Sequence, residues 1–118
     1  MDGTILSLAV AVGRALVDRG AMCATAESCT GGLVAGAITD IPGSSAWFDR
    51  GFVTYTNDAK TNMLDVPAEV LAVHGAVSEA TARAMVAGAL THSAATYAVA
   101  ITGVAGPGGG SPDKPVGL

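Results

Sequence analysis

The stretch Ala21–Ile38, AMCATAESCTGGLVAGAI, decides the fold. Its first part, AMCATAES, is a short apolar run with a polar end, which reads as a buried strand. Leu33, Val34, Ala37 and Ile38 then recur at helical spacing until Pro42 and Gly43 stop them. Between the two lies Glu27-Ser28-Cys29-Thr30-Gly31-Gly32, where a strand ends and a helix begins. In layered α/β proteins ligands sit at such junctions.

Upstream, Ile5, Leu8, Ala9, Val12, Leu16 and Val17 form one apolar helical stripe, ended by Gly20 as a C′ glycine. Downstream, WFDRGFVTYTNDAK alternates Phe52, Thr54 and Thr56 with Val53 and Tyr55, a strand pattern closed by Asn57-Asp58. AKTNMLDVP reads as a helical turn and PAEVLAVHG as a short helix ending at Gly75. Ser78 is placed to cap a longer helix that carries Ala82, Met85, Val86 and Ala89 on one side. TYAVAITGVAG is an unbroken apolar run, as expected of a strand buried on both faces. PGGGSPDKP follows as a loop, and VGL opens like a further strand. The alternation predicts an α/β layered fold in a single domain spanning residues 1–118.

Composition narrows the function. Half of the 118 residues are apolar and only 14% are charged, which excludes a disordered chain. The net charge is −4 and the six basic residues are scattered, so no nucleic-acid footprint is present. Arg14, Asp18 and Arg19 interrupt the first apolar stripe, and no run reaches the ~18 residues of a membrane span. Cys23 and Cys29 do not form a secreted disulfide framework and no signal peptide precedes them, so a cytoplasmic location is expected. Two cysteines and two histidines without ligand spacing predict no metal site.

Three clusters could carry chemistry. At AESCTGG, the free N–H groups of a helix start suit an oxyanion or a phosphate, and Gly31 and Gly32 let a ligand approach the backbone. The plainer reading makes Ser28 or Thr30 a helix cap and leaves Glu27 solvated. Cys29 is a rival nucleophile, without a histidine nearby in sequence to serve it. At YTNDAK, Tyr55, Asn57 and Lys60 sit at a strand end. Lys60 is a general base only if burial lowers its pKa, and an exposed lysine is the commoner use of the residue. At ITGVAGPGGGSPDKPVG, residues Thr102 to Gly106 end a strand and offer backbone N–H groups to an anion, whereas Gly108 to Asp113 read as a floppy linker.

Three stretches, TAESCTGGLVAGAITDIPGSSAWFDRGFVTYTNDAKTNMLDVP, HGAVSEATARAMVAGAL and AVAITGVAGPGGGSPDKPVG, agree in order and spacing with one family. The chain resembles the C-terminal domain of the competence/damage-inducible protein CinA, also found alone as nicotinamide-nucleotide amidase. The resemblance implies a three-layer α/β/α fold whose last strand and helix lie beyond Leu118. It implies deamidation of nicotinamide mononucleotide to nicotinic acid mononucleotide and ammonia, as part of pyridine nucleotide recycling, with no cofactor and with self-association. Ser28 matches the family nucleophile, Lys60 the base and Tyr55 a helper. Thr102, Gly103, Ala105 and Gly106 match a turn that lines the nucleotide site. Glu27, Thr30, Gly31, Gly32 and Asn57 complete the expected substrate-binding set, with the amides of Thr30 and Gly31 as oxyanion donors. The alternative is a non-catalytic nucleotide-binding or interaction module of the same fold.

Overall fold

A computed structural model describes residues 2–118. Helix α1 spans Gly3–Asp18, strand β1 Cys23–Glu27 and helix α2 Leu33–Thr39. A short 3-10 turn, Ser44–Ala46, leads into β2, Phe48–Val53. Helices α3 (Asn57–Leu64), α4 (Ala68–His74) and α5 (Glu79–Thr91) follow, and then β3, Tyr97–Ile101. The sheet is parallel in the order β2-β1-β3, so β1 is central. A central parallel strand is covered on both faces, and all five β1 residues are buried.

The alternation of β1 side chains sorts two cores. Ala24 and Ala26 face one way and pack with Leu64, Val66, Met85 and Ala89 from the α3 and α5 side. Cys23 faces the other way and packs with Leu16, Ile38 and Trp47 from the α1 and α2 side. The helices thus form two outer layers around the sheet, as expected. Two close approaches fix them. Gly13 of α1 lies under the Trp47 ring, and Gly88 of α5 lies against the Leu64 backbone at the end of α3. The α5 contact explains why its buried face is Thr81, Met85, Gly88 and Ala89, whereas Ala82 and Val86 of the expected stripe are only half-buried.

Two strand expectations are corrected. β2 begins and ends earlier than the alternation suggested, because Thr56 leaves the strand to cap α3, its hydroxyl accepting from the Ala59 amide at 3.0 Å. β3 is not buried on both faces. It is an edge strand, and Tyr97 and Val99 stay half exposed beside Ile5, Leu8 and Val12 of α1. Gly20 adopts φ +61 after the C-cap Arg19, as a C′ glycine should. Val116–Leu118 form no strand, although Gly117 N donates to Val104 O and Val104 N to Leu118 O. No helix among the described residues is long and apolar enough to cross a membrane.

Candidate active site

Ser28 follows directly on the central strand. Its amide, one residue beyond β1, donates to O of Ile101, the last residue of β3, at 2.9 Å, and the Thr54 amide donates to Glu27 O at 2.8 Å on the other side. The sheet therefore holds the chain up to Ser28, and side-chain parity sends Ser28 to the α3–α5 side with Ala24 and Ala26. Lys60 lies on the first turns of α3, started by the Thr56 cap. Its Nζ stands 3.0 Å from Ser28 Oγ, 3.0 Å from Thr54 O and 3.3 Å from Tyr55 O. Lys60 is 1% exposed, so the ordinary surface reading of this lysine is overturned. Burial pushes its pKa below the usual lysine range, and the nearby Cys29 sulfur opposes that shift.

A neutral amine has two N–H groups and one lone pair. Here two carbonyls can take the N–H groups, which leaves the lone pair for the Ser28 hydroxyl. The charged form would instead donate all three protons. Which form is present decides whether Lys60 accepts a proton or merely holds Ser28, and its burial favours the accepting form.

A pocket of ≈ 390 Å³ opens over this pair. Cys29, Tyr55 and the turn Thr102–Gly106 line it, as do Gly108, Ala76 and Val77. Tyr55 is 72% exposed at this pocket, not a core residue. Sequence reasoning missed Ala76 and Val77, which arrive from the α4–α5 linker and carry no chemical signature. Gly108 reads as part of a floppy linker in the sequence. Its segment instead follows a defined path, with Ser111 N donating to Lys114 O at 2.8 Å and Lys114 N to Ser111 Oγ at 3.1 Å.

Several expected contacts fall elsewhere. Thr30, Gly31, Gly32 and Asn57 do not line the pocket. Asn57 is exposed on the first turn of α3. The Gly31 amide donates to Ser28 O at 3.1 Å and so is occupied, which removes it from the oxyanion pair. Among the described residues the amides of Cys29 and Thr30 donate to no protein group. Gly31 and Gly32 serve the turn itself, with φ +58 and +107.

Glu27 is neither solvated nor turned to the pocket. It is fully buried, and its carboxylate accepts from Thr30 Oγ1 (2.6 Å), Gly32 N (3.2 Å), Val34 N (2.9 Å) and Ala35 N (2.9 Å). Thr30 is therefore not the cap of α2. It braces Glu27, whose carboxylate takes the free amides at the helix start. Burial alone would raise the Glu27 pKa, but the Thr30, Ala35, Val34 and Gly32 bonds outweigh it and the net shift is downward. A carboxyl with a lowered folded pKa contributes stability that is present above its unfolded value and lost as pH falls through the folded one. Glu27→Gln places an NH2 among N–H donors and should cost about 2–3 kcal/mol at neutral pH. Urea unfolding at pH 7 and pH 3 checks this, since the gap between parent and variant should narrow in acid.

Among the described residues no group of three or more His, Cys, Asp or Glu side chains is placed to hold a metal ion, and both cysteines are free thiols. Fold and pocket together define an α/β domain with a buried Ser–Lys pair at the carboxyl end of its central strand. The chain belongs to the CinA C-terminal domain family, whose model matches residues 5–118. It is 60% identical over 116 residues to the nicotinamide-nucleotide amidohydrolase PncC of Escherichia coli K12, covering 98% of this chain and 70% of that protein. A CinA-like protein of Chloroherpeton thalassium is 57% identical over 107 residues, 91% of this chain. The chain spans only about a quarter of such longer relatives, 26% in that case. The crystal structure of the competence/damage inducible protein CihA from Agrobacterium tumefaciens superposes with a TM-score of 0.97 at 59% identity, over 100% of this chain and 72% of that one. The competence damage-inducible protein A of Klebsiella pneumoniae gives 0.92 at 46% identity, over 96% and 70%.

Proposed function

We propose that the chain is a serine amidohydrolase that converts nicotinamide mononucleotide to nicotinic acid mononucleotide and ammonia, a step of pyridine nucleotide recycling. The observation that carries this reading is the 3.0 Å contact between Lys60 Nζ and Ser28 Oγ beneath the pocket. The name of the E. coli relative supplies the substrate.

Ser28 Oγ attacks the carboxamide carbon while its proton passes to Lys60 Nζ. The amide of Cys29, a pocket-lining residue whose N–H donates to no protein group, is the free donor for the developing oxyanion. Lys60 then returns the proton to the departing amine. The C–N bond breaks, ammonia leaves, and an acyl ester remains on Ser28. Lys60 next takes a proton from water, whose oxygen attacks the ester carbon. The acid is released and Ser28 regains its proton. Tyr55 at the pocket edge positions the pyridine ring, and the turn Thr102–Gly106 receives the nucleotide portion.

Incubation with nicotinamide mononucleotide, following ammonia and the acid product, tests the reading. The parent should turn over and Cys29→Ala should keep that activity within about threefold, since the thiol is not the nucleophile. Loss in Cys29→Ala with nucleotide still bound transfers the role to sulfur. Binding without turnover by the parent indicates a nucleotide-binding module instead.

A further inference from the structure

Three consecutive carbonyls leave the end of α4, and each is taken by a side-chain donor. Lys114 Nζ donates to His74 O at 3.0 Å. Ser78 Oγ and Thr81 Oγ1 donate to Gly75 O at 3.0 and 2.7 Å. Thr102 Oγ1 donates to Ala76 O at 2.8 Å. The middle carbonyl is thus held by the start of α5. The outer two are held by residues at the two ends of the glycine loop. That loop supplies Gly106 and Gly108 to the pocket, while the α4–α5 linker supplies Ala76 and Val77.

We infer that Thr102 and Lys114 are positioning residues that clasp the glycine loop to the α4–α5 linker and so set the shape of the pocket. The physical need is clear from the loop. Gly106, Gly109 and Gly110 take positive φ, and a segment this rich in glycine loses much conformational freedom when ordered. If that cost fell on ligand binding it would weaken affinity, whereas clasps formed beforehand remove it from the binding step. Both bonds suit the task. The Lys114 ammonium meets a carbonyl at a helix C-terminus, where the helix dipole favours a cation. The Ser111–Lys114 turn aims it there. Thr102 is the residue after β3, so its hydroxyl is anchored to the sheet.

Cys29 gives a readout that needs no substrate. Its thiol lines the same pocket, while Cys23 is buried and serves as the internal control. In the folded protein, Lys114→Met and Thr102→Val should speed alkylation of Cys29 by iodoacetamide about five-fold, with Lys114→Arg and Thr102→Ser close to the parent. The KM for nicotinamide mononucleotide should rise about tenfold in Lys114→Met, whose side chain lies outside the pocket lining, with kcat within about twofold and rescue by Lys114→Arg. The kinetic half rests on the amidase reading, but the alkylation half does not. A parent that binds nucleotide without turnover therefore overturns that reading and leaves the clasp to be decided by Cys29. Thermal midpoints confirm that each variant is folded. Parental Cys29 rates in Lys114→Met and Thr102→Val overturn the clasp, and so does a fall in kcat at constant KM.

Discussion

Ser28→Ala and Lys60→Met are each expected to lower the turnover of nicotinamide mononucleotide by at least about a thousandfold, with the double variant falling little further. In the proposed mechanism the two side chains act as one unit, because the hydroxyl is a poor nucleophile unless the amine accepts its proton. Without Lys60 the serine has no acceptor, and without Ser28 the amine has nothing to activate. Nucleotide affinity should survive in both, as most of the pocket lining is untouched. The pH profile separates a base from a mere structural contact. The proposed mechanism needs the neutral amine, so turnover in the parent should rise with pH through the lowered Lys60 pKa and level off above it. That ascending limb disappears from the residual activity of Lys60→Met. Stability runs the same way. The folded pKa lies below the unfolded one, so the parent gains stability relative to Lys60→Met as pH rises toward the unfolded lysine value. Steady-state rates and urea midpoints between pH 6 and about 10 check both statements. Independent losses that multiply in the double variant would show that the two residues do not share a proton.

The second large effect lies away from the pocket. Gly88→Ala should destabilise the fold by about 3 kcal/mol and lower the melting temperature by about 10 °C. A Cβ at residue 88 would stand 1.9 Å from Leu64 O and 2.6 Å from Leu64 C. These are backbone atoms of the turn that ends α3, so no rotamer change relieves the overlap. Helix α3 has to move away from α5. Lys60 rides on α3, and its contact with Ser28 depends on that position, so turnover should fall along with stability. Gly36→Ala is the matched control. Gly36 sits inside α2, with open space at its Cβ and no positive φ. That change should be neutral or stabilising by up to about 1 kcal/mol through helix propensity alone. Calorimetry on the two variants distinguishes a packing constraint from a general intolerance of alanine.

Much of this structure is legible in the sequence, and the illegible parts share physical causes. The order of helices and strands follows from periodicity, whereas Ser28 and Lys60 are singled out by the family resemblance and not by residue type. Periodicity reports a side chain's face, however, and not what lies opposite it. Val99 and Leu8 look like core residues and remain exposed, because among the described residues no element covers the groove between α1 and β3 that they line. Lys60 and Glu27 look like surface residues and are buried, because each finds its partners in backbone groups that no residue letter reveals. Ala76 and Val77 reach the pocket through tertiary approach alone. The glycine loop reads as slack because its fastening depends on one lysine and a carbonyl forty residues earlier in the chain.

The irregularity between β1 and β2 has a consequence for how the chain distributes its few rings. Cys23 pairs with Phe48 but Ala24 pairs with Arg50, which leaves Asp49 as an extra residue in β2. In a regular strand Phe48 and Phe52, four positions apart, would share a face. With one residue inserted between them they point to opposite sides. Phe48 packs in the cluster with Leu16 and Trp47, and Phe52 packs in the cluster with Leu64 and Met85. Only 4% of the chain is aromatic. A single supernumerary aspartate thus gives each layer one of the two phenylalanines.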